Sequence, residues 1–313
     1  MKSENIFIGI DCGASKILSQ AAKIDYNLDL VIPIGETIEE KYSMNQGWNK
    51  KFKPLSIKTQ LKELNDQKIK LTPEEISQGN IILIVINKFL KKFNNKQISI
   101  CYPGLKSKDG VPLMVNGPRI PNLIKNLNYF KNFYNDSDCC TIGEWKSSIG
   151  KMTNIKNGIY LGGGTGIADG LIINGEMVDF NAENDIRRSW QIIFKGKTIE
   201  SMLSPSGMIK SFNDRFNQNI NTLDEFIDSK YSLEILIDAS NAFSELIKDR
   251  IKIFNSKGQY PERVVIGQRL GLFIDKLDTR IKDIFLNCSK IPLSFSNDRR
   301  TAALGAVYKM LNC

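Results

Sequence analysis

Residues 158–173 of this 313-residue chain read GIYLGGGTGIADGLII: an apolar run, a cluster of glycines with one threonine, and a second apolar run. Aliphatic and β-branched residues on both sides of the glycines predict two strands joined by a turn. Residues 5–24, NIFIGIDCGASKILSQAAKI, have the same arrangement near the start of the chain. This recurrence predicts an α/β protein with two similar halves, each of which presents a glycine-containing loop.

The rest of the chain supplies helices and strands for two such halves. The run PEEISQGNIILIVINKFLKKFNN predicts a helix, because its proline suits a first turn, its two glutamates complement the helix dipole and its end is rich in lysine. Helices are predicted over residues 73–95, about 200–254 and 299–311, and strands over 97–104, where a turn ends the strand, and 263–267.

The length of the chain favours two domains, since about 150 residues per domain is typical. We place the first domain at residues 1–130 and the second at 131–313, with the last helix as a candidate to pack back on the first domain. Residues 35–72 are rich in lysine and asparagine, and they predict either a surface excursion or a small insertion in the first domain.

The amino-acid composition excludes several classes of enzyme. Histidine is absent, so the chain by itself cannot form a Ser-His-Asp triad, a Cys-His nucleophile or a zinc site with histidine ligands. A general base must come from a carboxylate, lysine, tyrosine or cysteine, and Asp and Glu are favoured. The net charge of +9 favours anionic partners such as nucleotides, polyphosphate or nucleic acid, although a lysine-rich solvated surface is the stronger interpretation.

The cysteines and the apolar runs predict a cytoplasmic protein. The six cysteines form no CxxC pair, which indicates neither a zinc knuckle nor a redox motif and favours reduced thiols. The longest apolar run, residues 81–86, is far too short to span a bilayer, and no N-terminal targeting segment is visible.

The first candidate site is the segment GIDCGASK at residues 9–16. An aspartate at the end of a buried strand, followed by glycine and a small hydroxyl residue, suits hydrated Mg²⁺ beside phosphate, because Mg²⁺ needs only one or two carboxylates besides water and phosphate oxygens. Gly13 permits a ligand to approach the backbone closely. From this segment alone, a structural turn is an equal alternative.

The second candidate site is GGGTG at residues 162–166. Four glycines and a threonine remove side chains where the backbone could cradle phosphates. The segment is neither a Walker A loop nor a dinucleotide-binding fingerprint, since no GK[ST] follows and the next predicted element is a strand. A tight hairpin is the alternative, but four glycines exceed what a hairpin needs, so phosphate binding is favoured.

The third candidate site is NDSDCCTIGE at residues 135–144. An Asn-Asp step before a helical stretch places an amide and a carboxylate at a helix N-terminus. Simple capping by Asp136 or Ser137 explains this segment on its own. The functional alternative is a carboxylate base beside an amide that orients a hydroxyl substrate.

Together these segments resemble the sugar-kinase branch of the actin-like ATPase superfamily, and within it the ROK family of repressors and kinases. Residues 6–16 are similar to its first phosphate motif, DxGxTK, residues 135–144 to its NDxNAAxxGE motif, and residues 162–178 to its second phosphate motif. Further segments are similar to family motifs in the expected order. They are ICYPG (100–104), NGPRIPNL (116–123), ESMLSPSGMI (200–209), RVVIGQRLG (263–271) and TAALGAVYKM (301–310).

The chain departs from the family pattern at several places. The family's ExGH is replaced by Glu183-Asn184-Asp185, and its CxCGxxGC zinc cluster is missing, so the resemblance implies no structural zinc. Without zinc, the loop after Gly175 must be held by packing, which we place around Trp190. Gln268 stands where the family has the second glycine of a GG loop. The absence of histidine, together with Asp138, resembles the polyphosphate/ATP-glucokinases.

The resemblance implies two actin-like (ribonuclease H-like) domains around a nucleotide cleft, and it implies roles for individual residues. Asp136 would be the general base that accepts the proton of a sugar hydroxyl, and Asp11 would orient Mg²⁺ through water. The implied sugar-binding residues are Asn135, Asn122 and Glu183. The implied nucleotide-binding residues are Asp11, Gly13, Ser15, Lys16, Gly164, Thr165, Gly166 and Gly267.

We therefore predict a carbohydrate kinase that uses Mg²⁺ and ATP, or polyphosphate, without zinc. Its predicted partners are a sugar and a nucleotide, with neither nucleic acid nor membrane, and a homodimer is the candidate assembly.

A non-catalytic sugar or nucleotide sensor is the main alternative, since ExGH is missing. A family repressor would need a helix-turn-helix before the first phosphate strand, which begins by residue 6. An actin-like ATPase without an acceptor would not need the amide beside the base.

Overall fold

The computed structural model describes residues 5–94, 96–127, 132–180, 182–183 and 185–312, which fold as two compact α/β units. The first unit contains the chain up to Ser148 together with the residues from Arg300 onwards, and the second contains Ile149–Arg299. The strands are β1 (Phe7–Cys12), β2 (Lys16–Asp25), β3 (Leu30–Lys41), β4 (Gln97–Tyr102), β5 (Phe133–Asn135), β6 (Gly158–Gly163), β7 (Ile167–Ile173), β8 (Glu176–Met177), β9 (Ile193–Phe194), β10 (Lys197–Thr198), β11 (Arg263–Gly267) and β12 (Leu293–Phe295). The helices are α1 (Ile57–Asn65), α2 (Pro73–Lys92), α3 (Leu123–Asn126), α4 (Asp136–Lys146), α5 (Ile199–Leu203), α6 (Pro205–Phe216), α7 (Leu223–Ile227), α8 (Ser232–Ser256), α9 (Gln268–Asp275), α10 (Thr279–Leu286) and α11 (Thr301–Asn312).

Each unit is built on a five-stranded sheet, and the two sheets have the same order of strands. The order is β3-β2-β1-β4-β5 in the first unit and β8-β7-β6-β11-β12 in the second. In the first, β1 pairs antiparallel with β2 and parallel with β4. In the second, β6 pairs in the same two ways with β7 and β11. The predicted α/β class and the predicted recurrence of two similar halves are therefore confirmed.

The predicted helix at residues 73–95 is confirmed as α2, and its start has the expected chemistry. The Thr72 hydroxyl accepts a hydrogen bond from the Glu75 N–H at 3.1 Å, and Pro73 is the first helical residue. The predicted helical region at 200–254 consists of four helices, α5 to α8, and Pro205 starts the second of them. None of the helices in the described ranges has the length and apolarity that crossing a bilayer requires.

The polar stretch at residues 35–72 contributes buried residues to the first unit. Tyr42 is fully buried, and Trp48 packs against it with ring centroids 5.2 Å apart. The Gln60 side chain on α1 is also fully buried: its Nε2 donates to Met114 O at 2.8 Å and its Oε1 accepts from Met114 N at 2.9 Å. The stretch is therefore an integral part of the unit that fixes the loop between β4 and α3.

A buried arginine ties the same loop to α1 and α2. Arg119 is fully buried, and its Nε and Nη2 donate to the Glu75 carboxylate at 2.8 and 2.9 Å. Its Nη1 donates to Glu63 at 2.5 Å. The Glu75 side chain is 2% exposed and that of Glu63 is 19% exposed. These carboxylates compensate a cation that would be very costly to bury alone.

Glycines allow α11 to lie directly against α4 and β1. A Cβ atom at Gly305 would lie 1.9 Å from Cys139 O, and one at Gly143 would lie 1.8 Å from Thr301 O. A Cβ atom at Gly9 of β1 would lie 1.9 Å from a backbone oxygen of α11. Only glycine fits such approaches of backbone to backbone. The last helix therefore packs within the first unit, although it follows the second unit in sequence.

Gly305→Ala is expected to destabilise the protein by about 3 kcal/mol, because the new methyl group must push α11 away from α4. The urea midpoint of unfolding measures the effect. Gly117→Ala is the matched control, since the nearest atom to its Cβ position is 3.5 Å away, an ordinary contact. An unchanged midpoint for Gly305→Ala would contradict the observed packing.

The predicted domain boundary between residues 130 and 131 falls outside the described residues. The prediction assigned β5 and α4 to the second domain, whereas both belong to the first unit. The physical reason is sheet pairing: β5 is the parallel neighbour of β4, with Tyr102 aligned with Asn135.

The loop after β8 is held by packing, but Trp190 is not its anchor. Trp190 is 47% exposed, so the prediction that the loop packs around it is wrong. A buried ion pair lies in this region instead, where Arg250 Nη2 donates to Asp169 Oδ2 at 2.5 Å and to Arg187 O at 2.8 Å. The apolar residues of the loop that are buried are Phe180, Ile186 and Ile192.

Candidate active site

Two carboxylates of the first unit lie at the carboxyl ends of strands β1 and β5. Asp11 lies near the end of β1, aligned with Cys101 of β4, and Asp136 comes directly after β5. The carboxyl ends of β1, β4 and β5 meet at one edge of the sheet, which is where α/β proteins bind ligands. Burial, and then the nearby charge of Asp136, raise the pKa of Asp11 to about 7. The two side chains therefore interact as a pair.

Two groups partly offset the cost of charge on Asp11. The Cys101 thiol donates to Asp11 Oδ1 at 3.5 Å, and the positive charge of Lys16 also lowers the pKa of this carboxyl. Both effects are smaller than the effect of burial. Asp11 is therefore a carboxylate whose charge the first unit stabilises incompletely.

Asn135, the residue before Asp136, caps helix α4. Its Oδ1 accepts hydrogen bonds from the Ser137 N–H at 3.0 Å and from the Ser137 hydroxyl at 2.5 Å. Capping by Asp136 or Ser137, the structural interpretation of this segment, therefore gives way to capping by Asn135. The Asn135 amide nitrogen has no hydrogen-bond acceptor within the described part of the chain, so its two N–H donors remain available to a ligand.

Asp136 is the first residue of α4 and is partly buried. Its Oδ1 accepts the Ser137 N–H at 2.9 Å. Burial raises the pKa of Asp136, whereas the positive charge of Lys106 lowers it. Because Asn135 already caps the helix, the fold does not need a carboxylate at position 136 for capping.

The other candidate residues of the first unit differ in their surroundings. Lys16 forms an ion pair with Glu39 of β3. The Ser15 side chain is exposed, and its backbone carbonyl accepts the Tyr42 N–H at 3.1 Å. Asn122 is exposed at the start of α3, where its side chain makes no capping bond. Lys16 is therefore engaged within the first unit, whereas Ser15 and Asn122 are exposed.

The glycine cluster of the second unit forms the hairpin between β6 and β7. Gly163 pairs with Ile167, and the Gly164 N–H donates to Gly166 O at 2.9 Å across the turn. Thr165, at the tip, is exposed. The segment is thus the hairpin that the sequence left as an alternative, with its tip accessible.

Packing explains several of these glycines. A Cβ atom at Gly162 would lie 2.5 Å from the Tyr160 hydroxyl, and one at Gly267 would lie 2.8 Å from the same ring. A Cβ atom at Gly163 would lie 2.4 Å from Leu270 Cβ. Glycine at these three positions makes room for buried side chains, so phosphate binding is not needed to explain them.

Gly13 and Gly164 are different. The nearest neighbour of a Cβ atom at Gly13 would be 3.5 Å away, and at Gly164 it would be 3.7 Å away, both ordinary contacts. Neither residue has a left-handed φ angle. Glycine is therefore not required by the fold at these two positions, which is the pattern expected where a ligand approaches the backbone.

Glu200 belongs to the glycine hairpin, although the sequence analysis did not select it. Its Oε2 accepts the Ile167 N–H at 2.9 Å, and it lies 2.6 Å from the position of a Cβ atom at Gly166. Burial raises the pKa of Glu200, and the bond from Ile167 partly offsets this. The available signal was its place as the first residue of ESMLSPSGMI, a segment similar to a family motif.

Two further residues of the second unit were singled out by sequence. The Glu183 carboxylate accepts a hydrogen bond from Lys257 Nζ at 2.7 Å, so it is engaged in a half-exposed ion pair, and Asn184 lies outside the described residues. Gln268 has a φ of +57°, a left-handed conformation that costs a non-glycine residue about 1–2 kcal/mol. This conformation explains why a glycine is typical at this position of the similar motif.

Asp11 offers carboxylate oxygens of the kind that Mg²⁺ accepts as ligands. No cluster of three or more Cys, Asp or Glu side chains that could hold a metal ion occurs in the described ranges. Mg²⁺ accepts one or two carboxylate oxygens and keeps its remaining ligands as water or phosphate. The charge of Asp136 contributes to the raised pKa of Asp11, and a divalent cation held by Asp11 would relieve that repulsion.

Asp11→Asn is expected to raise stability at pH 8 by about 1–3 kcal/mol and to have little effect at pH 4. The pKa of Asp11 is raised from 3.8 to about 7 on folding, so the unfolded state loses this proton first as the pH rises. The resulting penalty is absent below pH 3.8 and complete above about pH 7, and Asn removes it. Urea unfolding in buffer with EDTA at both pH values measures the change in the free energy of unfolding. An equal change at both pH values would contradict the raised pKa of Asp11.

No family model matches the sequence, and no curated protein matches it. Solved structures do resemble it. The ROK hexokinase from Thermus thermophilus has a TM-score of 0.66 at 13% identity, with 98% of each chain covered. A ROK-family glucokinase from Streptomyces griseus, in complex with glucose and AMPPNP, has a TM-score of 0.59 at 12% identity, with 96% of this chain and 98% of that chain covered. A ROK-family transcriptional regulator, a homologue of the E. coli Mlc protein, has a TM-score of 0.61 at 13% identity, with 98% and 78% covered.

The chain therefore has the two-domain, actin-like fold of the ROK-family sugar kinases, as its motifs predicted. The same fold occurs in a kinase and in a transcriptional regulator. Because one fold hosts several functions, the reaction has to be argued from the residues.

Proposed function

We propose that this protein is a sugar kinase that transfers the γ-phosphoryl group of ATP to a hydroxyl of a hexose or hexose derivative, with Asp136 as general base. The observation that carries the proposal is the interacting pair Asp11 and Asp136, at the carboxyl ends of β1 and β5, in a fold shared with ROK hexokinase and glucokinase structures. The glucokinase structure contains glucose and a nucleotide analogue, which supports both substrate classes.

Asp136 would accept the proton of the attacking hydroxyl. The hydroxyl oxygen forms a bond to the γ-phosphorus, the bond from that phosphorus to the bridging oxygen breaks, and ADP leaves with the electron pair. The Asn135 amide, whose N–H donors have no acceptor among the described residues, would orient the hydroxyl. Lys106 lowers the pKa of Asp136, which favours the charged form that a base needs.

The phosphate contacts are assigned to backbone that the fold leaves open. Gly13 in the first unit has no packing that would prevent phosphate oxygens from approaching its N–H group. In the second unit the Gly164 N–H already donates to Gly166 O, so we assign the phosphate contact to the exposed Thr165, with Gly164 leaving space for the ligand beside it. Asp11, through water, would hold Mg²⁺, which when bound supplies positive charge to the phosphates. Gly166 and Gly267 would contribute to phosphate binding indirectly, because they allow the shape of the hairpin and of the β11–α9 turn.

A non-catalytic sugar or nucleotide sensor is the second candidate. The observation that favours it is the Glu183–Lys257 ion pair, which engages the one carboxylate that the ExGH comparison offered for sugar binding. A regulator also shares the fold. A sensor requires binding without turnover, so the two candidates differ in a measurable way.

A coupled assay of ADP release over hexoses, N-acetylhexosamines and polyols, with a parallel assay of sugar-phosphate formation from polyphosphate, tests the proposal. We expect turnover with at least one acceptor and loss of that turnover in Asp136→Asn. Isothermal titration with the same sugars and ATP accompanies the assay. Binding without product formation by either donor would support the sensor and overturn the kinase.

Activity is expected to require Mg²⁺ and not zinc, because the carboxylates of the site are the hard oxygen ligands that Mg²⁺ prefers. Removal of metals with EDTA should abolish turnover, and Mg²⁺ should restore it. Metal analysis of the purified protein and separate add-back of zinc are the controls. Stoichiometric zinc, or rescue by zinc alone, would contradict both the metal assignment and the kinase subtype.

A further inference from the structure

Lys106 is a partly buried lysine in the loop that follows β4, and its ammonium group is held at two points. Its Nζ donates to Tyr102 O at 2.5 Å and to Gly104 O at 3.0 Å. The same atom lies 5.9 Å from the centroid of the Phe133 ring. The side chain therefore folds back over the end of β4 instead of extending into solvent.

The register of the sheet places this ammonium group beside Asp136. Tyr102, whose carbonyl holds Nζ, is aligned with Asn135 on the parallel strand β5, and Asp136 is the next residue. The two charges also affect each other's ionisation. Burial lowers the pKa of Lys106, and the charge of Asp136 raises it.

Backbone contacts hold together the loop that carries Lys106. Gly104 has a φ of +87°, and a Cβ atom there would lie 2.5 Å from Leu113 O. Backbone bridges join Leu105 with Leu113 and Val111 with Ile120. Lys106 is therefore held in one place by a loop that is closed on itself, as a preorganised binding group requires.

The contacts of Lys106 leave part of its binding capacity unused. An ammonium group has three N–H donors, and the two carbonyls take two of them. Within the described ranges no carboxylate lies close enough to form an ion pair with Lys106. A cation with a free donor, fixed beside Asp136, is a site for an anionic oxygen.

We propose that Lys106 binds the phosphoryl group as it is transferred to the acceptor and the phosphate of the product. The proposal rests on the proposed function and assigns it a residue that the motif comparison did not include. A phosphoryl group that approaches Asp11 and Asp136 brings more negative charge to two carboxylates, so a fixed cation at this place stabilises the transition state.

Kinetics of Lys106→Met and Lys106→Gln test the catalytic role, with the best acceptor from the substrate screen. We expect kcat to fall by about 10²–10³-fold, while the KM values for acceptor and ATP change by less than about threefold. Lys106→Arg should recover at least a tenth of the wild-type kcat, because it keeps the charge. Lys88→Met is the control, since Lys88 is exposed and pairs with Glu40 at the surface.

Thermal unfolding of each variant shows whether a loss of activity comes from a loss of folding. If Lys106→Met is unstable, Lys106→Gln serves in its place, because its amide keeps a donor for the two carbonyls. A folded Lys106→Gln protein with wild-type kcat would overturn the proposal.

Isothermal titration with inorganic phosphate tests the same site without turnover. We expect wild type and Lys88→Met to bind phosphate and Lys106→Gln to bind it at least tenfold more weakly. Equal binding by wild type and Lys106→Gln, or binding by neither, would overturn the proposal. If no sugar is phosphorylated but phosphate binding depends on Lys106, the proposed kinase function fails while the phosphate site stands.

Discussion

Asp136→Asn is expected to lower kcat by about 10²–10⁴-fold and to leave the protein folded. The variant loses the group that accepts the hydroxyl proton, but it keeps a side-chain oxygen for the Ser137 N–H, and Asn135 still caps α4. Affinity for ATP should stay close to that of wild type, because the base is needed for transfer and not for nucleotide binding. Steady-state kinetics and isothermal titration with ATP measure the two effects.

Asp138→Asn is the matched control for this variant. Asp138 lies on the same turn of α4, but its carboxylate bonds Lys309 at 3.1 Å in a partly exposed ion pair. Loss of such a pair costs about 0–1 kcal/mol, and we expect activity to be retained. If Asp136→Asn kept more than about a tenth of wild-type activity, the assignment of the base would be wrong. Loss of folding would instead identify Asp136 as a structural residue.

Arg119→Met is expected to destabilise the protein by about 3–5 kcal/mol. The substitution removes every charge-assisted bond that Glu75 receives from Arg119, and it leaves the Glu75 carboxylate, 2% exposed, as an uncompensated buried charge. Methionine fills a similar volume, so the effect measures charge more than lost packing. Urea unfolding at neutral pH gives the change in free energy.

Two further variants make the test specific. Arg215→Met removes an arginine from an exposed pair with Asp238 and should cost less than about 1 kcal/mol. Arg119→Met combined with Glu75→Gln should recover part of the stability, because the buried charge is then gone. A loss for Arg119→Met no larger than that for Arg215→Met would mean that the buried network does not stabilise the fold.

Local chemistry explains why much of the fold could be predicted. Thr72 and Pro73 start α2 through hydrogen bonding and backbone geometry that involve only their immediate neighbours. Alternating and continuous apolar runs around the two glycine segments indicate strands for the same reason. The recurrence of these patterns was enough to predict two similar halves, whereas the order of the strands in each sheet came from the structure.

The polar stretch at residues 35–72 shows where prediction from local pattern stopped. Its composition indicated a surface excursion or insertion, yet Tyr42 and Gln60 are fully buried. Gln60 is buried because its amide pairs with both backbone groups of Met114, 54 positions away in the chain. A hydrogen bond of that kind leaves no signal in the residues around Gln60.

The glycine cluster at residues 162–166 also shows a limit of prediction from local pattern, because there the sequence favoured a function where packing explains some of the residues. The count of glycines favoured phosphate binding, but Gly162 and Gly163 are needed for the packing of Tyr160 and Leu270. Gly164 is not explained by packing. The sequence identified the segment, and the contacts of each glycine separated structural positions from candidate binding positions.

The sequence by itself determined the α/β class, the repeated strand-turn-strand units and the candidate carboxylates Asp11 and Asp136, because these depend on residue type and on short-range order. Only the tertiary structure decided that Asp11 and Asp136 interact, that Asn135 and not Asp136 caps α4, and that Lys106 lies beside the proposed base. Each of these depends on the pairing of β1, β4 and β5 or on the side-chain contacts that follow from it. Asp11 meets Cys101 across 90 positions of the chain, and contacts at that separation are created by sheet register, which no local pattern encodes.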